Sequence, residues 1–297
     1  MSDTAIAHGP VVEKRRGEGL TAAALLTPAT VFVAIALLAP LVILFRYSLN
    51  EFVPAKKIMV EAVTIANYVK FFTDPYYTTI LWTTVRIAVL VTAVCLVLGF
   101  PLAYVVARTQ SRFKNLLIIS IVLPLFVGNS VRAAGWMVVF GNKGFVNASL
   151  MGIGLIDRPF EIMFTEKAVI IGIIAVNLPF MVLSLQSVIE GIDRSVEEAA
   201  FSLGAPPATM FWRVLWPLAL PGILAGTILT FILAMNAYAT PFLLGGPLFK
   251  MMAPLIYNQF TQQTNWPFGG AIAFILMTVT LLLTVAANLI IQRRAAR

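Results

Sequence analysis

Residues Glu190 to Pro217 read EGIDRSVEEAAFSLGAPPATMFWRVLWP, a conspicuously polar stretch between two long apolar runs. Ser195-Val196-Glu197-Glu198 fits a capping box, in which the Ser195 hydroxyl accepts from the Glu198 N–H while the Glu198 carboxylate reaches back. This predicts a helix from Ser195. Gly204 suits a left-handed stop, and Pro206-Pro207 then blocks continuation and opens a second helix. The second helix is expected to end near Leu215, because Trp216 precedes Pro217 and is pushed towards extended backbone. On the first helix, Val196, Ala199, Ala200 and Leu203 mark an apolar stripe. The pattern leaves two uses open. One is a helical hairpin lying on lipid headgroups with Phe211, Trp212 and Trp216 as anchors; the other is a compact knob projecting from a membrane surface.

The rest of the chain supplies that membrane. Of 297 residues, 60% are hydrophobic and only 11% charged, with a mean hydropathy of +0.91; an average soluble domain carries about 25% charged residues. Runs of about 20 apolar residues that close their own backbone hydrogen bonds suit a bilayer instead. Six are expected, at about 20–45, 80–107, 116–140, 168–189, 218–244 and 268–291. The first exceeds the short apolar region of a signal peptide, so a retained helix is expected. The fold class is therefore all-α, a polytopic membrane protein of six transmembrane helices. Residues 1–19 read as a mobile cytoplasmic tail, 20–292 as the transmembrane domain containing the 190–217 loop, and 293–297 as a basic cytoplasmic end.

Charge supplies the orientation. Lys14, Arg15, Arg16, Arg108, Arg112, Lys114, Arg194, Arg213, Arg293, Arg294 and Arg297 lie on the side of the termini. Fewer lie opposite, spread over the longer loops 46–79, 141–167 and 245–267, which places both termini and the 190–217 loop in the cytoplasm. The net charge of +8 sits at span edges, not in an aromatic-interleaved stripe, so nucleic acid is not the expected partner. Cys95, the single cysteine, lies in an apolar run and reads as a small hydrophobe. No metal site is expected. The sole histidine, His8, is in the tail, and no intramembrane acid pair appears, so no catalytic residues and no enzyme are expected.

Glu198-Ala199-Ala200, then Gly204, Val214 and Pro217, resembles the EAA loop of binding-protein-dependent ABC importer permeases. That pattern runs Glu-Ala-Ala, three residues, Gly, nine residues, Ile, any residue, Leu, Pro; here Val214 replaces the Ile and Trp216 the Leu. The resemblance implies the type I ABC importer permease fold, with the 190–217 loop as its coupling-helix loop. It implies that the knob inserts into a separate ATPase and couples nucleotide-driven closure to the membrane helices, through Glu197, Glu198, Ala199, Ala200, Gly204, Arg213 and Pro217. Glu198 would carry the polar contact. No Gly-x-x-x-x-Gly-Lys-Ser/Thr sequence is present to cradle phosphates, so no cofactor is expected in this chain; ATP and Mg belong to the partner.

Two further stretches are similar to spermidine/putrescine-type permeases: Arg132, Trp136, Gly141, Gly144 and Asn147, and Tyr238-Ala239-Thr240-Pro241 leading to Leu244-Gly245-Gly246. The resemblance implies a subunit that forms the path for a small solute, a polyamine before an amino-acid-like compound, opine, phosphonate or iron. Its implied partners are two ABC ATPase subunits, a second and distinct permease, and a periplasmic solute-binding protein, in a bacterial inner membrane. Asn236 and Thr240, four apart and on one face of the fifth span with Tyr238 nearby, are the leading candidates for polar lining of the path; Asn177, Arg132 and Trp136 are further ones. Arg86 is expected to snorkel and Arg132 to pin a break near Gly128-Asn129-Ser130. A secondary transporter is the rival reading, weakened by the lack of a buried acid for proton coupling.

Overall fold

The computed structural model describes residues 16–53, 58–247 and 249–295, with side chains between 24 and 289. The chain divides into two compact units at Tyr47/Ser48. The described part of the first is α1 (Arg16–Ser48), apolar and long enough to cross a membrane from Ala24 onward. Of the tail expected over 1–19, residues 16–19 are already helical; residues 1–15 lie outside the described ones, as do Ala296 and Arg297 at the basic end.

The second unit opens with a small antiparallel hairpin, β1 (Glu51–Val53) paired with β2 (Ile58–Val60), a departure from a purely helical chain. There follow α2 (Ala66–Thr73), α3 (Pro75–Arg108), α4 (Lys114–Val122), α5 (Asn129–Phe140), α6 (Phe145–Gly152), α7 (Glu166–Glu190), α8 (Arg194–Ser202), α9 (Pro207–Met210), α10 (Trp216–Leu218), α11 (Leu220–Met235), α12 (Ala239–Leu244), α13 (Met252–Thr261) and α14 (Trp266–Ala295). Among the described residues four helices, α1, α3, α7 and α14, are long and apolar enough to cross a membrane, and the number is six when each of two bent pairs is taken as one span.

Local chemistry explains where the spans start and break. At the start of α3, the Asp74 side chain accepts from the Tyr76 N–H and Pro75 takes the first turn, where its missing donor is no loss. Glu166 stands in the first turn of α7, where negative charge favours the helix dipole, and pairs with Arg86 at 2.6 Å. Arg86 is thus ion-paired rather than only snorkelling. The third span bends by 101° after Phe126, at a tight turn containing Pro124. There the Arg132 guanidinium donates to the Val127 carbonyl at 2.8 Å, satisfying an acceptor next to the break, as an apolar medium requires.

The expected fifth span, 218–244, is not one helix. Its first part bends by 71° where α10 meets α11, and α11 stops at Met235 with Asn236 as its cap. A new helix, α12, starts only at Ala239. Asn236 turns back to donate to the Ile232 carbonyl, so it and Thr240 do not share a helical face. The i, i+4 argument fails because the two residues belong to different helices.

At the centre, α3, α7 and α11 pack on one another around buried Ile87, Val91, Cys95, Ile173, Met181, Leu185 and Ile223. Lipid chains are as apolar as these side chains, so association in a membrane depends on close contact, which small residues allow. Gly222 and Gly226, four apart on α11, face α7: a Cβ at Gly222 would lie 2.9 Å from Val188 Cβ and 3.2 Å from the Ser184 carbonyl, and one at Gly226 would lie 2.7 Å from Met181 Sδ. Met181 also closes on Gly99 of α3, at 2.9 Å from the Cβ position there. Cys95 is buried among these residues as a small hydrophobe. Val188 and a backbone carbonyl cannot yield, whereas a thioether end can. Gly222→Ala is therefore expected to cost about 1–3 kcal/mol and Gly226→Ala less, measured by equilibrium unfolding in detergent.

Candidate functional site

The helix of the Glu190–Pro217 loop begins one residue before the expected capping box. Asp193 is the N-cap, its side chain accepting from the Ser195 N–H at 2.9 Å; an aspartate at this position competes successfully with Ser195 because its carboxylate is the stronger acceptor. Those hydrogen bonds hold the Asp193 carboxyl below the usual carboxylate range. The end of α8 is a Schellman turn: the Ala205 N–H reaches the Ala200 carbonyl at 3.0 Å, the Gly204 N–H reaches that of Phe201 at 2.9 Å, and Gly204 takes φ +79°.

Pro207 opens α9 in the first turn. Beyond it the chain does not become extended at Trp216. Residues Phe211–Leu215 form a wide π-type turn, and Trp216 stays helical at φ −59°, ψ −48°. The wider turn changes the backbone register upstream of Pro217, so the proline no longer ends the helix. Phe211, Trp212 and Trp216 cluster with Phe100 of α3; Trp216 stacks on Phe100 at 5.6 Å between ring centroids. This stacking accommodates the bulk of the Trp in place of the pattern's Leu. Of the three aromatic rings only that of Trp212 is exposed.

Two acids of the loop face opposite ways. Glu197 is 7% exposed. Its Oε2 accepts from the Tyr104 hydroxyl at 2.8 Å, and its Oε1 from Arg108 Nε and Nη2 at 2.8 and 2.5 Å. Tyr104 and Arg108, four apart at the end of α3, present one face to it. Arg108 Nη1 also donates to the Ile192 carbonyl, and Arg194 donates to the Arg108 carbonyl at 2.6 Å. Behind these, Lys114 pairs with Glu190 at 2.8 Å. Glu198 and Ala199, by contrast, are exposed, as are Val196 and Leu203, the latter 88% exposed. Ala200 is half-buried, while Gly204, Arg213 and Pro217 are at the surface. The apolar stripe of α8 is thus turned away from the body of the unit.

The candidates for the path are dispersed. Asn236 lines a cavity of about 330 Å³ with Thr280 and Thr284 of α14. Thr240 is buried, its methyl 2.6 Å from a Cβ position at Gly172 of α7. Tyr238 is clustered with Phe242 and Tyr257. Asn177 is buried and donates to the Thr230 carbonyl of α11 at 3.5 Å, a clasp between helices. Trp136 leans on Phe140, and Arg132 serves the break in the third span. Asn147 of α6 exchanges two hydrogen bonds with the backbone of Phe160 and donates to the Gly141 carbonyl, and Gly144 lies too close to the Val138 carbonyl for any Cβ.

The sequence pattern of the family described as "Binding-protein-dependent transport system inner membrane component" matches residues 58–297. The chain belongs to this family. Among curated proteins, it is 35% identical to the spermidine/putrescine transport system permease protein PotB of Haemophilus influenzae, over 78% of this chain and 82% of that protein. To PotB of Escherichia coli it is 36% identical, over 79% and 83%. Among solved structures, it is similar to a chain of a bacterial alginate ABC transporter in complex with an alginate pentasaccharide-bound periplasmic protein, with a TM-score of 0.73 at 19% identity over 96% of this chain and 98% of that one. The permease is thus a multi-pass inner-membrane subunit of an ABC importer, with the type I fold, and not an enzyme.

Within the permease, Tyr104 and Arg108 are the site residues that sequence reasoning passed over, treating Arg108 only as a marker of orientation. Their i, i+4 spacing at the end of an apolar span was the available signal. Replacing Glu197 by Ala would leave Arg108 buried without its partner, with an expected loss of about 3–5 kcal/mol; Glu198→Ala should change stability by less than about 0.5 kcal/mol. Thermal unfolding of the two variants in detergent compares them. Because the Asp193 carboxyl titrates lower in the folded state than in the unfolded one, its contribution is present above the unfolded value of about 3.9 and is lost as pH falls through the folded value. Asp193→Asn, which keeps the acceptor, should flatten this acid dependence in an unfolding series below about pH 5.

Proposed function

We propose that α8 is the coupling helix through which a separate ABC ATPase drives this permease, and that the solute is a polyamine of the spermidine or putrescine kind. The observation that carries the first part is the division of labour between adjacent acids. Glu197 braces α8 onto the end of α3, while Glu198, Val196, Ala199 and Leu203 face outward. A helix that is rigidly attached on one face and apolar on the other suits a cleft in a partner protein. Ala199 and Ala200 allow close approach, Glu198 supplies the polar contact, and Gly204 and Pro217 set the limits of the element, with Arg213 at the surface beside it. Movement of the ATPase would reach α3 through the Glu197–Arg108 pair.

Support for the solute comes from the identity to the two PotB proteins across most of both chains. In this reading the permease works with two ATPase subunits, which bind ATP and Mg, with a second and distinct permease, and with a periplasmic solute-binding protein. Both termini and the 190–217 loop are cytoplasmic, as the distribution of Lys and Arg favours. Asn236 and Tyr238 are the proposed path residues nearest the break between α11 and α12, with Thr240, Asn177, Arg132 and Trp136 supporting the helices around it. Acids at the ends of α7 are already paired, Glu166 with Arg86 and Glu190 with Lys114, so selectivity would reside mainly in the binding protein.

The assembled importer in proteoliposomes tests the coupling. Gly204→Pro, which cannot take φ +79°, and Leu203→Glu, which puts charge on the exposed stripe, are expected to reduce solute-stimulated ATP hydrolysis at least about tenfold, roughly 1.4 kcal/mol, with membrane insertion intact. Stimulation equal to wild type in both would remove α8 from the mechanism. A panel of polyamines and other small solutes in the same vesicles identifies the cargo.

A further inference from the structure

Thr84, Thr92, Thr227 and Thr280 each donate their hydroxyl to the carbonyl four residues back, at 2.7–2.8 Å, which hides a polar group from its apolar surroundings. Thr230 of α11 does not. It is 0% exposed, and its Oγ1 has no hydrogen-bond partner; the Thr284 hydroxyl shares this state, beside the cavity at Asn236. A buried hydroxyl left unpaired is costly.

The neighbour of Thr230 sets it apart. Asn177, midway along α7 and buried, donates to the Thr230 carbonyl at 3.5 Å, longer than the usual N–H···O bond of about 2.7–3.2 Å. This is the one hydrogen bond of the Asn177 side chain among the described residues, so its amide oxygen accepts none. A donor without an acceptor and an acceptor without a donor thus stand on two residues already in contact.

Packing on either side explains why the contact is loose. Pro179, two residues after Asn177, lacks the N–H that the Ala175 carbonyl would accept, which gives α7 a weak point there. Beyond Pro179, α7 is locked to α11: a Cβ at Gly226 would meet Met181 at 2.7 Å and Ser184 at 3.3 Å, and one at Gly222 would meet Val188 at 2.9 Å. Ahead of Pro179, α7 is locked to α12. A Cβ at Gly172 would meet Thr240 at 2.6 Å and Leu244 at 2.7 Å, one at Gly245 would meet Val169 at 3.2 Å, and the Phe164 N–H just before α7 donates to the Leu244 carbonyl at 3.0 Å. Because α11 ends at Met235 and α12 starts at Ala239, one half of α7 goes with α12 and the other with α11. Asn177 belongs to the first half and Thr230 to the second, and their contact bridges the two.

We propose that Asn177 and Thr230 form a two-position latch across a hinge at Pro179. In the resting arrangement, the one described, the Asn177 amide holds the Thr230 carbonyl weakly. When α7 bends at Pro179, the Thr230 hydroxyl donates to the Asn177 amide oxygen, and the unmet donor and acceptor satisfy each other. Such a pair is a bistable element, since its two positions differ in hydrogen bonding and lie in packing that does not deform continuously. The latch requires an importer that cycles between arrangements; it rests neither on α8 as the coupling helix nor on a polyamine as the solute.

ATP hydrolysis by the full importer in proteoliposomes, stimulated by its binding protein loaded with putrescine, reads the latch. Thr230→Val keeps the shape and removes the hydroxyl; Asn177→Leu removes the amide. Each is expected to slow stimulated hydrolysis about fivefold, and the double variant also about fivefold rather than by the product of the two, because both partners act in one bond. Thr230→Ser, which keeps a hydroxyl, should stay within about twofold of wild type. Thermal unfolding of the nucleotide-free complex separates this from a folding defect: Thr230→Val should be at least as stable as wild type, since the hydroxyl it removes is unpaired at rest. A wild-type rate in Thr230→Val, a multiplied loss in the double variant, a Thr230→Ser rate as low as that of Thr230→Val, or a lower unfolding temperature for nucleotide-free Thr230→Val overturns the latch. If putrescine fails to stimulate wild type, the polyamine reading falls, and the same comparison on unstimulated hydrolysis decides the latch.

Discussion

The carboxylate of Glu197 sits between the Tyr104 hydroxyl and the Arg108 guanidinium, and the arrangement of the 190–217 segment depends on that contact. A buried charge needs a partner and further hydrogen bonds to offset its loss of water. Here both conditions are met, since Arg108 also donates to the Ile192 carbonyl and Arg194 in turn satisfies the carbonyl of Arg108. The C-terminal end of a long helix, with its free carbonyls, thereby becomes an anchor for the next loop. The position of α8 on the end of α3 follows from these bonds, and with it the direction in which Glu198 and Leu203 point.

The membrane imposes a different constraint on the rest of the second unit. Every interruption of a span must satisfy its own backbone groups or place them in a cavity. Arg132 does this at the bend after Phe126, and the Asn236 side chain does it at the end of α11. Between the breaks, α3, α7 and α11 gain contact through glycine, with Met181 filling the space that Gly99 and Gly226 leave. The region where these helices meet is therefore largely apolar and glycine-lined, with Asn177 as a buried polar clasp to the Thr230 carbonyl. α3 makes contacts at both ends, with Tyr104 and Arg108 against α8 and the Tyr76 hydroxyl accepting from Lys250. Its unbroken run from Pro75 to Arg108 is a stiff link between the two.

Much of this was legible in the residues. Apolar runs of the right length located the spans, because helix length and bilayer thickness are matched by the same 1.5 Å rise. Gly204 announced its left-handed turn, and Pro207 its place in a first turn, because their conformational limits are local. Three expectations failed. The Ser195 capping box yielded to Asp193 when two caps competed within three residues. Trp216 stayed helical because a π-type turn absorbed the conflict with Pro217 and an aromatic cluster held the ring. Asn236 and Thr240 parted because the fifth span breaks between them, and nothing in the periodicity of an apolar run reports such a break.

By itself the sequence determined that this is a six-span membrane permease with a proline-bounded and glycine-turned loop, since hydropathy, backbone limits and motif spacing act over a few residues. Only the tertiary structure decided that Glu197 turns inward and Glu198 outward. That choice depends on Tyr104 and Arg108, 93 and 89 positions away along the chain. The same holds for Lys250, whose ammonium donates to the Tyr76 hydroxyl 174 positions away. Which polar atoms find partners is a property of packing, and packing is where the local rules stop.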